Sequence, residues 1–160
     1  MKPAAIILTV LCLAAFAGTD VLYMSSNIVV EETLCTAYAA QDQLQTFQAL
    51  KSQLKSGAFT GTPFDISDIG EADNYQFYEY TVNLRNDSLL KVELIEIQVT
   101  PMNGDVLQIS DLEAHDLAPG TSGSFTATIL TALEMHNIRE LTLSYYLWGL
   151  PFSTRITYSR

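Results

Sequence analysis

The chain has 160 residues, of which 48% are hydrophobic and 16% charged, so it holds enough apolar side chain for one core and is not a disordered protein. Eighteen acidic and eight basic residues give a formal net charge of -10. The basic residues lie singly along the chain, whereas nucleic acid binding needs clustered cations, so we expect no nucleic acid partner. An anionic membrane surface would repel the folded part for the same reason.

The N-terminal segment, residues 1–24, indicates export. Residues 3–19 carry no charge and follow Lys2, and positive charge ahead of an apolar run keeps the N-terminus in the cytoplasm. In one outcome residues 3–24 stay in the membrane as a signal anchor, giving a single-pass protein of the cell membrane with its C-terminal domain extracellular. In the other, Ala15-Phe16-Ala17 is a small-x-small cleavage site, and the chain is secreted after cleavage behind Ala17. A buried helix of a cytoplasmic protein is the least favoured alternative.

The next segment, residues 25–74, is predicted to hold a strand, a helix and an acidic loop. Residues 27–39 are rich in Val, Ile, Thr and Tyr and lack Gly and Pro, which favours a strand. Apolar residues then recur every three to four positions, which indicates a short amphipathic helix over 40–55 that Gly57 ends. Residues 58–74 combine glycine, proline and acids, which is typical of a long loop with one helical turn.

The segment 75–160 has the pattern of an all-β domain. Short apolar runs at regular spacing are separated by turn residues, and about seven strands predict an immunoglobulin-like β-sandwich. The predicted strands are 75–85, 89–100, 106–109, 113–117, 122–131, 138–148 and 152–158. The predicted turns are 86–88, 101–105, 118–120 and 149–151.

Alternation along two of these strands predicts which side chains face the core. Phe125, Ala127 and Ile129 share one face of their strand, and Leu141, Leu143, Tyr145 and Leu147 share one face of theirs. The opposite face of the second strand carries Tyr146 and Trp148, which we expect to be partly exposed. Between residues 89 and 100 the polar positions change phase, which predicts a bulge near Leu94-Ile95.

Residues 80–87, the turn 117–121 before residues 124–127, and the final hairpin resemble parts of bacterial envelope proteins. In those proteins one N-terminal apolar helix carries an immunoglobulin-like domain of the FxLYD or CARDB type. The resemblance covers residues 75–158. It implies an adhesive, spacer or ligand-presenting role and brings no catalytic residues.

No residue pattern in the sequence predicts catalysis, a cofactor or a metal. His115 and His136 have no ligand at metal-binding spacing, and residues 120–124 miss the G-x-S-x-G pattern of a serine nucleophile. Asp65, Asp68, Glu71 and Asp73 could gather oxygen ligands for Ca²⁺, but their spacing fits no EF-hand, so a solvated loop is favoured. Cys12 and Cys35 are not expected to form a disulfide, because a helix in lipid cannot bridge to a strand in water.

An aromatic group supplies the candidate binding surface. Tyr78, Tyr80, Tyr146 and Trp148 belong to strands that display alternate residues on opposite faces, so either the group packs in the core or part of it binds a protein or a carbohydrate. The leading hypothesis is a non-catalytic, envelope-associated binding or assembly module rather than an enzyme. The alternatives are a pilin-like filament subunit and, third, an exported hydrolase.

Overall fold

A computed structural model describes residues 3–24, 27–65, 69–110 and 113–159. These residues form two helices, a short 3-10 turn at Ala72–Asn74 and nine strands. The helices are α1 (Pro3–Met24) and α2 (Leu44–Ser56). The strands are β1 (Ile28–Ala39), β2 (Gly61–Pro63), β3 (Tyr75–Asn86), β4 (Val92–Val99), β5 (Asp105–Ile109), β6 (His115–Leu117), β7 (Ser122–Ala132), β8 (Arg139–Leu147) and β9 (Leu150–Tyr158).

The strands form two antiparallel sheets. One has the order β1-β3-β7-β5-β2 and the other the order β6-β4-β8-β9. Alternate side chains of both sheets meet in one core that includes Tyr80, Ile129 and Leu143, each with no exposed surface. Burying an aliphatic or aromatic side chain stabilises the fold by about 1.5–3 kcal/mol, so this shared interior holds the sheets together. The predicted β-sandwich architecture is confirmed.

Helix α1 carries large apolar side chains on all sides. Exposed side chains on this helix include Ile6, Ile7, Leu8, Val10, Leu11, Leu13, Phe16 and Val21. Among the described residues, no helix has both the length and the apolar character required to cross a membrane.

Helix α2 covers the outer face of the five-stranded sheet. Its buried residues Phe47 and Leu50 join Phe77, Leu107 and Leu130 in a second apolar cluster. The helix begins four residues later than predicted, because residues 40–43 form a turn in which backbone amides donate to the carbonyls of Ala39 and Ala40. Its end is the predicted one: Gly57 adopts φ 71°, and its amide donates to the Leu54 carbonyl.

The strand predictions in the sandwich hold to within a few residues. Phe125, Ala127 and Ile129 are buried as expected, and so is the predicted face of β8. The predicted bulge is confirmed, since the β4–β8 register shifts between Glu93 and Glu96 and Leu94 has φ 52°. The helical turn predicted within residues 58–74 is found as the 3-10 turn at Ala72–Asn74, whereas the short strand β2 in the same segment was not predicted. β1 and β2 are both members of the five-stranded sheet.

A buried ion pair joins the two sheets. Arg139 at the start of β8 donates two hydrogen bonds to the carboxylate of Asp105 at the start of β5, with nitrogen–oxygen distances of 2.7 and 3.1 Å. The same guanidinium donates to the carbonyls of His136 and Ile138 at 2.7 and 2.8 Å. Neither side chain has exposed surface. The sequence placed Asp105 in the turn 101–105, so this contact was not predicted.

Candidate functional site

One end of the sandwich carries the candidate binding surface, and we call it the hairpin end. It is formed by the loop 87–91 between β3 and β4, the turn 118–121 before β7, and the turn between β8 and β9. The register pairs Val92 with Leu147, and Leu147 with Leu150, so the loop and the turn leave the four-stranded sheet side by side. The opposite end holds the Arg139–Asp105 pair.

The turn between β8 and β9 has an unusual residue at its first central position. Leu147 pairs with Leu150, which leaves Trp148 and Gly149 as a two-residue hairpin loop. Their φ angles are 51° and 75°, the signs of a type I′ turn. Asn-Gly is the preferred sequence there, because a bulky residue with positive φ is strained by about 1 kcal/mol or more. Strain of this kind is often retained where a side chain must be presented for function.

Three large apolar side chains of the hairpin end are open to solvent. Trp148 is 66% exposed, Leu150 is 55% exposed and Leu89 is 70% exposed. Tyr146, one residue before Leu147, is exposed to a smaller extent. The predicted exposure of Tyr146 and Trp148 is confirmed, but Trp148 lies at the tip of the turn and not on the outer face of β8. Sequence reasoning missed Leu89 because it stands beside Leu90, which packs partly against the core, and it missed Leu150 because that residue was assigned to the turn 149–151.

Tyr78 and Tyr80 do not belong to this surface, which corrects the predicted set. Both lie on the inner face of β3 and are buried in the core. Each hydroxyl donates to a backbone carbonyl at the other end of the sandwich, that of Met135 for Tyr78 and that of Asn137 for Tyr80. Buried tyrosines normally find such a partner, and these two have a structural role.

Each of two basic side chains near the hairpin end contacts two carboxylates. Lys91 contacts Glu93 and Asp116, both at 3.0 Å. The two carboxylates raise the pKa of Lys91 through hydrogen bonds, and Lys91 in turn lowers the pKa of Asp116. Arg85 contacts Glu31 at 3.4 Å and Asp87 at 3.0 Å. Two cations and four carboxylates leave this region weakly acidic.

A cleft of about 230 Å³ lies at the edge formed by β4, β5 and β6. His115 lines it together with Glu96, Glu113 and Thr126, and the His115 ring packs edge-on against Phe125 at 5.7 Å between centroids. Within the described ranges, no group of three His, Cys, Asp or Glu side chains is placed to hold a metal ion. His136 lies elsewhere, in the exposed connection before β8.

The acidic loop considered for Ca²⁺ is described only in part. Asp68 lies outside the described residues, while Asp65, Glu71 and Asp73 are exposed. Lys51 of α2 reaches the segment and donates to the Gly70 carbonyl at 2.7 Å. The described part of this segment is therefore attached to helix α2 through Lys51.

Cys35 lies half-buried on β1, beside the buried tyrosines. Burial raises the pKa of its thiol, and hydrogen bonding to Tyr80 and the charge of Arg139 oppose that shift. Burial likewise raises the pKa of the phenols of Tyr78, Tyr80 and Tyr145. A raised pKa keeps the Cys35 thiol protonated at neutral pH. Cys12 on α1 is exposed, and both cysteines are free.

These shifts predict that the fold loses stability in alkali. The folded state keeps the phenols and the thiol neutral, whereas the unfolded chain ionises them near pH 9–10. The stabilisation that these neutral groups give the folded state is fully present below about pH 9. It is lost as the pH rises through the raised pKa values of the folded state. Urea unfolding at pH 7, 9, 10 and 11 should show a falling free energy of unfolding. Tyr80→Phe should make that decline shallower, and an unchanged slope would contradict the assignment.

No protein-family model matches this sequence, and none of the curated proteins compared with it is significantly similar.

Proposed function

We propose that this chain is a non-catalytic, envelope-associated binding or assembly module that presents the hairpin end to its partner. The observation that carries the proposal is Trp148, a strained and two-thirds exposed aromatic residue at the tip of a hairpin on a rigid sandwich. Tryptophan supplies a large contact area with few rotatable bonds, and it is one of the residue types enriched at binding hot spots. Leu150 on the same hairpin and Leu89 on the neighbouring loop are further exposed apolar side chains of the hairpin end.

An immunoglobulin-like identity for the sandwich is part of this proposal. The order β1-β3-β7-β5 corresponds to strands A, B, E and D of such a domain, and β4-β8-β9 corresponds to C, F and G. The chain departs from the pattern in two ways, since β2 adds to the edge of one sheet and β6 follows β5 before pairing with β4. In immunoglobulin variable domains the B–C and F–G loops belong to the binding end, and here these are the loop 87–91 and the Trp148 turn.

The N-terminal segment supports the envelope part of the proposal. Its uncharged run after Lys2 is the feature of an export signal, and the exposed apolar side chains of α1 have no covering partner among the residues described. We retain both fates, a signal anchor and cleavage behind Ala17. The pilin-like alternative has less support, because the apolar face of α2 packs on the sheet and is not offered to a fibre core. The exported hydrolase would need chemistry at the His115 cleft.

Site-specific photocrosslinking in the source cells tests the proposal. A photoreactive amino acid at position 150 should give a crosslinked product, because it stands beside Trp148 on the proposed surface. Trp148→Asn should reduce the yield of that product about tenfold, the effect of about 1.4 kcal/mol in binding. The same substitution relieves the turn, so the free energy of unfolding should stay unchanged or rise by about 1 kcal/mol.

A matched control uses position 133, since Leu133 is exposed to a similar extent but lies at the opposite end of the sandwich. The photoreactive amino acid there should give no product that depends on Trp148. Equal products from both positions, or a product from position 150 that is insensitive to Trp148→Asn, would contradict the proposed surface. Hydrolysis of ester, glycoside or peptide substrates that is abolished by His115→Ala would contradict the non-catalytic role.

A further inference from the structure

We infer that the occupant of the hairpin end is the uncharged lipid interface of the membrane to which α1 brings the chain. The inference rests on the proposed function and names the partner of the same surface. Trp148, Leu150 and Leu89 would enter the interfacial layer, where the amphipathic indole ring of tryptophan is favoured. The contact requires α1 to meet the membrane and does not require α1 to cross it.

The position of α1 in the chain places it at the hairpin end. The Asn27 carbonyl accepts a hydrogen bond from the amide of Asp87 at 2.9 Å, so the chain enters the sandwich beside the loop that carries Leu89. Met24, the last residue of α1, is three residues before Asn27, and consecutive Cα atoms are about 3.8 Å apart. The Cα atoms of Met24 and Asn27 are therefore within about 11 Å of each other. A membrane that holds α1 is near the exposed apolar tips.

Two observations favour lipid over a protein partner for these residues. The exposed apolar side chains stand on two separate tips, the loop 87–91 and the β8–β9 turn. A deformable lipid layer can accommodate two such tips more readily than a single binding pocket of a partner protein can. Helix α1 is apolar on all sides, and a helix of that kind is buried either in a large core or in lipid. Helix α1 ends three residues before Asn27, whose carbonyl accepts from the amide of Asp87 in the loop that carries Leu89.

The charges at the hairpin end decide which lipids fit. Lys91 and Arg85 are each held by two carboxylates, and the chain as a whole carries a net charge of -10. Attraction to anionic headgroups needs free clustered cations, so the apolar contact has to supply the affinity. Zwitterionic lipids avoid the repulsion that an anionic surface would exert on the acidic domain.

The opposite end of the sandwich provides an internal comparison. Met102, Leu133 and Ile138 are also exposed there, between 41% and 50%. If exposed apolar area alone decided lipid contact, both ends would meet the membrane. The attachment of α1 predicts contact at the hairpin end alone.

The chain contains a single tryptophan, Trp148, so its fluorescence reports the hairpin end directly. The full chain is reconstituted into phosphatidylcholine vesicles, with and without bromine atoms on the acyl chains as quenchers. We expect the emission of Trp148 to shift to shorter wavelength in the vesicles and to lose most of its intensity with brominated lipid. Leu89→Ser combined with Leu150→Ser should restore most of that intensity.

The matched control moves the tryptophan to the other end, by Trp148→Phe with Leu133→Trp. Its emission should be unaffected by bromination, with circular dichroism confirming that the variant is folded. Unquenched Trp148, or equal quenching at positions 148 and 133, would overturn the inference. So would quenching that increases when phosphatidylglycerol replaces part of the phosphatidylcholine.

The outcomes also separate this inference from the proposed function. Photocrosslinking from position 150 to a protein or a glycan, without quenching of Trp148 by lipid, would overturn the lipid assignment and leave the binding surface standing. If neither a crosslinked product nor lipid quenching of Trp148 is observed, both the lipid assignment and the proposed binding surface are wrong.

Discussion

Asp105→Ala is expected to destabilise the fold by about 3–5 kcal/mol, because it leaves the guanidinium of Arg139 buried without its counter-ion. Arg139 is 1% exposed and cannot turn to solvent without opening the core. Asp105 also accepts a hydrogen bond from the amide of Met102 at 2.8 Å, so its removal weakens the turn before β5 as well. Urea unfolding at pH 7, followed by circular dichroism, measures the change.

Two further variants give this prediction its controls. Asp105→Leu combined with Arg139→Met should recover more than half of the loss, since replacing both members of a buried ion pair by apolar residues is often close to neutral. Glu140→Ala removes the exposed partner of Arg155, 3.7 Å away, and should change the free energy of unfolding by no more than about 0.5 kcal/mol. If Asp105→Ala and Glu140→Ala had similar effects, the ion pair would not have the structural role assigned to it.

Asn86→Ala is expected to lower the free energy of unfolding by about 2–4 kcal/mol, because the buried Asn86 side chain holds the loops of the hairpin end together by hydrogen bonds. Its amide group donates to the carbonyls of Leu90 and Leu117 at 2.8 and 2.9 Å. Its oxygen accepts from the amide and the hydroxyl of Ser88 at 2.9 and 2.6 Å. Alanine would leave several of these buried groups without a partner, and each such group costs about 1–3 kcal/mol.

The same unfolding measurement tests Asn86→Ala, with Asn103→Ala as its control. Asn103 is an exposed turn residue and its loss should change stability little. Since the loop that Asn86 holds carries Leu89, the variant should also weaken lipid quenching of Trp148 at temperatures where it remains folded. A loss below about 1 kcal/mol would show that water replaces the Asn86 contacts without penalty.

The strands and their faces could be predicted because their cause is local. Alternation with a period of two residues is visible along β7 and β8, and only one phase of it can bury the apolar set. The bulge in β4 was predictable for the same reason, since a change of phase has no other simple cause. Asn86 was recognised as a turn residue, but its four side-chain hydrogen bonds depend on residues as distant as Leu117.

The candidate site was predicted in part. The exposure of Tyr146 follows from the alternation of β8. Tyr78 and Tyr80 are also aromatic strand residues, but they are buried because the four-stranded sheet covers the inner face of β3. The strained turn was not predicted, because residues 149–151 carry the Gly and Pro that normally mark a turn. The pairing of Leu147 with Leu150 moves the turn to Trp148-Gly149 and makes the tryptophan its tip.

The sequence by itself determined a β-rich chain with an acidic charge and an apolar first segment, because composition and periodicity act through neighbours in the chain. Tertiary structure decided which aromatic residues are buried, which carboxylate meets Arg139, and which loop meets Asn27. Those outcomes depend on contacts between residues far apart in sequence, such as Asp105 with Arg139 and Asn27 with Asp87. The sequence around one partner of such a contact does not indicate which residue the other partner is.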